Sequence, residues 1–371
     1  MANKKISMAN KKIVADVGKI TPKDAVTKKI NSKKNGFDLD AYKKSNRLNE
    51  TAKFKKQEWI PVSPAFAEAT GVTALPHGHI VLWRGHSDTG KTTAMIEAAI
   101  AVQKSGKLPV FIITEMKWSW PHAKMMGFEV EEEVDKETGE VNYTGDFLYI
   151  DRGSLNTVED IASFIACRMD DQKNGLLPRD MVFLWDSAGS TPCQQSFDSN
   201  KNNAMWNAGA MATQFGNFIN QRITLSRKDN YPYTNSLYVV NKIRVEYPVG
   251  NIPGAQPKLK NKAGDALYWD ATLVFTFGNV TGPGTVKVKA TKDGKEVEWA
   301  KLVRLTCDKN HLTGISTTGK ILATPHGFIR EQDKEKYKKA HKDEWAAILG
   351  SADFQIIEEE DNTIVQETEN E

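Results

Sequence analysis

The sequence predicts an α/β fold, a mostly parallel central sheet flanked by helices, with a basic N-terminal arm and an acidic C-terminal tail. Three observations predict it. Gly85-His86-Ser87-Asp88-Thr89-Gly90-Lys91-Thr92 fits the phosphate-cradling loop G-x-x-x-x-G-K-[ST] at every fixed position. Residues 62 to about 325 alternate apolar strand-like runs with helical stretches, as a parallel sheet covered on both faces requires. Two apolar runs end in carboxylates, Glu115 and Asp186, where an open parallel sheet places its ligands.

In chain order, residues 1–58 form the arm, with 16 Lys and Arg against 6 Asp and Glu. Its first 35 residues repeat Met-Ala-Asn-Lys-Lys-Ile, show no sustained apolar period and are read as mobile. A short helix is expected from Leu39 to Phe54, then an extended piece from Glu58 to Val62. Strands are expected at Val81–Arg84, Val110–Thr114, Phe147–Ile150, Met181–Trp185, Ser236–Val240 and Thr272–Phe277, and helices at Thr93–Val102, Val158–Asp170 and Met205–Leu225. A hairpin follows, Thr285–Ala290 and Glu296–Cys307 around Lys292-Asp293-Gly294-Lys295. The core thus spans 59–327. Residues 328–371 hold a charged helix, Lys334–Leu349, and a tail whose last 21 residues carry 8 acids and no base.

With 371 residues, 40% apolar and 26% charged, the chain has the composition of a soluble globular protein of one large domain with appendages or of two domains. No apolar run approaches a membrane span, and the N-terminus lacks the apolar core of a secretory signal, so a cytoplasmic protein is expected. Cys167, Cys193 and Cys307 are too scattered for a disulfide framework or a zinc site. The net charge of +3 conceals a basic arm, a nearly neutral body and an acidic tail. Either the chain handles a polyanion and limits its own access to it, or both ends are simply solvated.

The chemistry follows from position. Backbone N–H groups from Gly85 to Thr93 are expected to cradle ATP phosphates, Lys91 to reach the β and γ oxygens, and the Thr92 hydroxyl to meet Mg²⁺. Asp186, delivered by an apolar strand, is the second Mg²⁺ residue. Glu115 is assigned as the base that orients water; a helix cap is the alternative for either acid taken singly. The strand ending at Val240 leads into Asn241-Lys242-Ile243-Arg244, whose amide and cationic groups are placed to sense the γ-phosphate and pass that state onward. Two irregular stretches follow sheet ends. One, about 190–204, is rich in Asn, Ser and Gln; the other, about 245–264, carries Lys258, Lys260 and Lys262. They form either an electrostatic track for a single strand of nucleic acid or plain surface loops.

The order of these features resembles the RecA family of strand-exchange ATPases from about Trp59 to Gly327. Ala74-Leu75-Pro76-His77-Gly78-His79-Ile80-Val81 is similar to that family's L-P-x-G-x-I-V lead-in, Thr114-Glu115-Met116 to its catalytic glutamate, and Met126-Gly127-Phe128 to its L-G-V turn. Asp186-Ser187 followed by Thr191-Pro192 resembles the strand entering the first DNA-binding loop. Val240-Asn241-Lys242-Ile243-Arg244 and Gly264-Asp265-Ala266-Leu267 resemble the borders of the second. Lys242 departs from the family, which has a glutamine there. The segment before Trp59 fits the bacterial pattern less well, and the style is closer to phage recombinases of the UvsX type. The resemblance implies an ATP- and Mg²⁺-dependent, DNA-stimulated ATPase that assembles into filaments on single-stranded DNA and pairs it with a homologous duplex, with a single-strand-binding protein or loader as a further partner. It also implies that Lys309 faces a neighbouring subunit's ATP. A helicase or motor with the same core, and a nucleotide-gated single-strand binder without strand exchange, are the other readings. Trp118 and Trp120 are assigned to the core, with adenine stacking as the alternative, and Phe66 of Phe66-Ala67-Glu68-Ala69 is read as buried.

Overall fold

A computed structural model of the protein describes residues 38–45, 53–115, 117–246, 257–292 and 295–344. The repeats of the arm, Met116, the tip of the 245–264 loop, the end of the expected 334–349 helix and the acidic tail lie outside the described residues. Two units are distinguished, Met1–Lys53 and Phe54–Glu371. In the first, helix α1 (Leu39–Ser45) is capped by Asp38, whose Oδ1 accepts from the Ala41 N–H at 3.0 Å. The helix ends short of the expected Phe54, which instead forms an isolated β-bridge with Lys228 in the second unit.

The second unit starts with β1 (Trp59–Pro61), α2 (Pro64–Thr70), β2 (Ala74–Pro76), β3 (Ile80–Gly85), α3 (Lys91–Lys104), β4 (Leu108–Ile113) and α4 (Trp120–Met125). A small hairpin, β5 (Glu131–Val134) and β6 (Val141–Thr144), precedes β7 (Leu148–Asp151), α5 (Val158–Lys173) and β8 (Met181–Asp186). Then come α6 (Gln194–Asp198), α7 (Ala204–Met211), α8 (Asn220–Ser226), β9 (Asn235–Glu246), β10 (Lys258–Asn261), α9 (Ala266–Asp270) and β11 (Leu273–Phe277). The chain closes with β12 (Val286–Lys292), β13 (Lys295–Asn310), β14 (Thr317–Thr324), β15 (Gly327–Ile329) and α10 (Lys334–Ala340).

Among the described residues the main sheet has eleven strands, ordered β15-β14-β13-β11-β3-β9-β8-β4-β7, with β10 paired to β9 and β12 to β13. The run from β11 to β7 is parallel; β13, β14 and β15 extend it antiparallel. Strands β3, β4 and β8 are buried at every position. That explains their unbroken apolar sequences, since parallel strands covered on both faces have no solvent side to mark with polar residues. Alternation along the strands divides the core in two. Val81, Trp83, Phe111 and Ile113 join Met95, Ala99 and Val102 of α3, whereas Leu82, Ile112, Phe183 and Trp185 join Ile161 and Ile165 of α5 together with Phe215 and Ile219.

Local chemistry fixes the helix ends. Thr157 and Asp160 form a reciprocal capping box at the start of α5, and Ser63 caps α2, with Pro64 at its first position. Phe66 is buried in α2, as read from the sequence, and Trp118 and Trp120 pack with Phe111 at ring separations of 4.8 and 5.7 Å. Glu97, on the outer side of α3, accepts from the Ser63 hydroxyl and from the Phe328 N–H, each at 2.7 Å, and so ties the loop-bearing helix to α2 and β15. Burial pushes its carboxyl up to about 7, even though both hydrogen bonds pull the other way.

Three departures from the sequence reading stand out. The expected single helix over 205–225 stays helical but widens to π-type turns over Ala212–Ile219, seating Phe215 and Ile219 in the core. The 245–264 stretch is not loop throughout: β9 runs on to Glu246, and β10 returns beside it. Strands β14 and β15 were not foreseen. No helix among the described residues is long and apolar enough to cross a membrane.

Candidate functional site

Strand β3 delivers Gly85 so close to β11 that a Cβ on it would stand 2.4 Å from the Phe277 carbonyl oxygen. At the other end of the loop Gly90 has φ 90°, a left-handed turn that leads into α3 with no side-chain cap. The first N–H groups of α3 therefore face the loop concavity, where the helix end favours an anion. The interior of the loop is bound to itself: Thr89 Oγ1 donates to the His86 carbonyl at 2.8 Å, and Lys91 Nζ donates to the same oxygen. Burial lowers the Lys91 ammonium to about 8, offset in part by the carboxylates of Asp186 and Glu115.

Thr92, one residue into α3, donates from Oγ1 to Asp186 Oδ2 at 2.7 Å. Burial raises the Asp186 carboxyl to about 6, against the Thr92 hydrogen bond and with the help of the nearby Glu115 charge. This hydroxyl and carboxylate, both hard oxygen donors beside the phosphate cradle, suit Mg²⁺. The Asp186-Ser187 peptide is cis. Thr114, just past β4, accepts at Oγ1 from the Ser187 N–H at 3.0 Å and from the Thr191 hydroxyl at 3.1 Å, which fastens the exit of β8 to the exit of β4.

Glu115 follows that hub. Its Oε1 accepts from the Ser187 hydroxyl and lies 2.8 Å from Lys242 Nζ. Burial raises the Glu115 carboxyl, but the Lys242 and Ser187 hydrogen bonds outweigh it and hold the group below the ordinary carboxylate range. Lys242 projects from β9, and β8 lies between β9 and β4, so this ion pair spans the end of β8. Ser87, Lys91, Thr92, Glu115, Asp186 and Lys242 all line one cavity of about 100 Å³. A larger one, about 400 Å³, opens on the outer side of the loop between Gly90, Thr93, His122, Trp299, Lys301 and Pro325. Trp299 and Lys301 were missed in the sequence because β13 reaches the loop only through the folding of the antiparallel extension, and His122 because nothing in the sequence places α4 beside the loop.

Asn241 is separate from that cluster. It is fully buried, and neither its Oδ1 nor its Nδ2 has a hydrogen-bond partner in the structure. A third cavity, about 710 Å³, lies beyond it between the 190–204 stretch and the β9–β10 pair. Arg152, Lys201, Arg244 and Lys262 line it together with Phe197 and Asn207, and no acidic residue does. Arg244 and Lys262 were expected from sequence, but Lys258 and Lys260 are not in this cavity. Lys260 pairs instead with Glu246 across the hairpin at 3.2 Å, and Lys258 is exposed. Arg152 and Lys201 are additions. Arg152 directly follows a parallel strand, β7, so the rule that ligands gather at strand ends would have found it. Lys309 donates from Nζ to the carbonyls of Tyr268 and Trp269 at 2.9 and 2.6 Å, at the end of α9.

No family model matches the chain. Part of it is similar to Protein RecA of Lactococcus lactis subsp. cremoris, 36% identical over 86 residues, which is 23% of this chain and 22% of that protein. Against Protein RecA of Mycoplasma pneumoniae it is 30% identical over 123 residues, covering 31% of this chain and 37% of that protein. The chain thus spans about a fifth of the length of the first of these relatives and just over a third of the second. These partial matches support a relation to the RecA proteins.

Proposed function

We propose that the protein is an ATP-dependent DNA recombinase of the RecA type, in the style of the phage UvsX recombinases, acting as a filament on single-stranded DNA. The observation that carries this reading is the pairing of two cavities through shared strands. The cavity holding Lys91, Thr92, Asp186 and Glu115 and the cavity holding Arg152, Lys201, Arg244 and Lys262 both draw on the exits of β8 and β9.

In this reading the loop N–H groups bind the ATP phosphates, and Lys91 turns from the His86 carbonyl to the β and γ oxygens. Thr92 and Asp186 hold Mg²⁺, which when bound neutralises the charge between the phosphates. Glu115, ionised at neutral pH, accepts the proton of the attacking water from a position set by Ser187. Lys242 exchanges its partner, Glu115 for the γ-phosphate, and so reports nucleotide state along β9 to Arg244. In the basic cavity four cations follow the phosphodiester backbone and Phe197 offers a ring to a base. Subunits that join head to tail without closing give an open helical filament, the assembly that strand pairing requires.

Strand exchange between circular single-stranded and linear duplex DNA tests the reading. Joint molecules that form only with homologous DNA and only with ATP are expected. DNA binding without any joint molecules would reduce the protein to a nucleotide-gated coating protein. A closed ring in the absence of DNA would point to a helicase or motor.

A further inference from the structure

His326, in the turn between β14 and β15, stacks on His341, which follows α10, with ring centroids 4.1 Å apart and planes 25° from parallel. Glu344 closes the group. Its carboxylate lies 3.4 Å from His326 Nε2 and 2.9 Å from His341 Nδ1. One ligand atom from each of the three residues lies within 4.8 Å of the others. We propose that His326, His341 and Glu344 form a binding site for a zinc-class divalent ion, which fastens the C-terminal segment to the wall of the 400 Å³ cavity on the outer side of the loop.

The donor set selects the ion. Two imidazole nitrogens and one carboxylate oxygen suit zinc and its neighbours, whereas magnesium takes oxygens, as at Thr92 and Asp186. Ligand bonds of about 2.0–2.1 Å in a tetrahedron put donor atoms roughly 3.3 Å apart, close to the 3.4 Å between His326 Nε2 and Glu344 Oε2, while the 2.9 Å His341 Nδ1–Glu344 Oε1 hydrogen bond would open slightly as the ion replaces its proton. The ring of His326 is also oriented from behind. Its Nδ1 is 2.7 Å from the Tyr337 hydroxyl, which leaves Nε2 as the metal-facing nitrogen, and an outer partner of this kind is a regular feature of metal-binding histidines. Tyr337 in turn stacks on Trp299 at 5.5 Å. Trp299, together with Thr324 and Pro325 just before His326, lines the 400 Å³ cavity. The ion therefore joins the β14–β15 turn, which walls that cavity, to the segment that follows α10. Three protein ligands leave a fourth position for water.

The proposal does not depend on the recombinase reading. The full chain, freed of metal with a chelator and held in saturating Mg²⁺, is titrated with Co²⁺ as a visible probe. One equivalent is expected to bind saturably, with the absorption of low-coordinate Co²⁺, and Zn²⁺ is expected to displace it. His341→Ala and Glu344→Gln, both at the surface end of the group, should lose the band while keeping the circular dichroism of the parent. Tyr337→Phe should weaken binding roughly 10- to 100-fold. Absence of a saturable band, or a band unchanged in both His341→Ala and Glu344→Gln, overturns the site.

Discussion

The proposed nucleotide cavity and the basic cavity are built on opposite electrostatic plans. In the first, the central charges each have a counter-charge or a hydrogen bond close by: Lys242 with Glu115, Asp186 with Thr92, Lys91 with the His86 carbonyl. Asp186 ends a fully buried strand, Glu115 follows another, Lys91 and Thr92 open a helix, and Lys242 stands where β9 leaves the buried part of the sheet, so their positions follow from the core. In the second cavity, none of Arg152, Lys201, Arg244 and Lys262 has an ion-pair partner among the described residues. Three of the four stand on loops or at strand ends. A site that must hold one small ligand and its water in register is pre-organised. A site that tracks a repeating polyanion, the role proposed for the second cavity, needs charge density more than fixed geometry.

Lys91→Ala should have the largest effect, because it removes the one cation inside the loop. Loss of ATP turnover by roughly 10²-fold or more is expected, with nucleotide-free DNA binding unchanged. An ATPase assay beside a filter-binding assay checks both halves, and lost DNA binding would mean that the two cavities are not separable. Glu115→Gln should lower hydrolysis by roughly 10²–10⁴-fold while retaining ATP, so filaments outlive those of the parent. Single-turnover kinetics and filament lifetimes read this directly.

Replacing Arg152, Lys201, Arg244 and Lys262 by Ala sharpens the contrast from the other side. If each meets one phosphate, the slope of log K against log salt for single-stranded DNA falls by about 3. ATP binding stays as it was. The same exchange at Lys258 and Lys260 should alter the slope by less, since Lys260 already has a partner in Glu246.

Lys242→Gln tests the join. Removing the ammonium lets the Glu115 carboxyl rise towards its ordinary value or above it, because burial then acts with less opposition. The acid limb of the ATPase pH profile should therefore move to higher pH, and an unmoved limb would separate Lys242 from the chemistry.

The smallest effect is expected in stability. The Glu97 carboxyl is raised from 4.5 to about 7, so the folded state binds the proton more tightly than the unfolded one. Its contribution is complete below about 4.5 and is lost as pH rises through about 7. Asp186 acts in the same direction over a neighbouring range. Denaturant melts of Glu97→Gln should lose part of this pH dependence, and identical pH profiles would contradict the assignment.

How much was legible in the sequence differs between the cavities for the same physical reason. The phosphate loop, the strand before it and the helix after it are local patterns, and so are apolar runs ending in Glu115 or Asp186. The six parallel strands were all placed from such patterns. The Glu115–Lys242 pair was not, because it depends on β9, β8 and β4 lying side by side, an order absent from any short window. Lys201 was hidden likewise, since its cavity exists only once β7, the 190–204 stretch and β9 meet, whereas Arg152 could have been found from its place directly after β7. Strand β14 escaped because its outer half, Thr317-Thr318-Gly319-Lys320, is polar and interrupted by glycine. That glycine packs directly against Ala69 of α2, where a Cβ would come within 2.6 Å of backbone. The β9–β10 pair was readable after the fact: Lys242-Ile243-Arg244-Val245-Glu246 and Lys258-Leu259-Lys260 alternate polar and apolar residues with the period of a strand.

The coupling of the two cavities is most directly measured as the affinity of the full chain for single-stranded DNA across a salt series, with and without a non-hydrolysable ATP analogue and Mg²⁺. Tighter binding with the analogue, lost in Lys91→Ala and blunted in Lys242→Gln, is the expected result. Equal affinity with and without the analogue at every salt concentration would contradict the coupling.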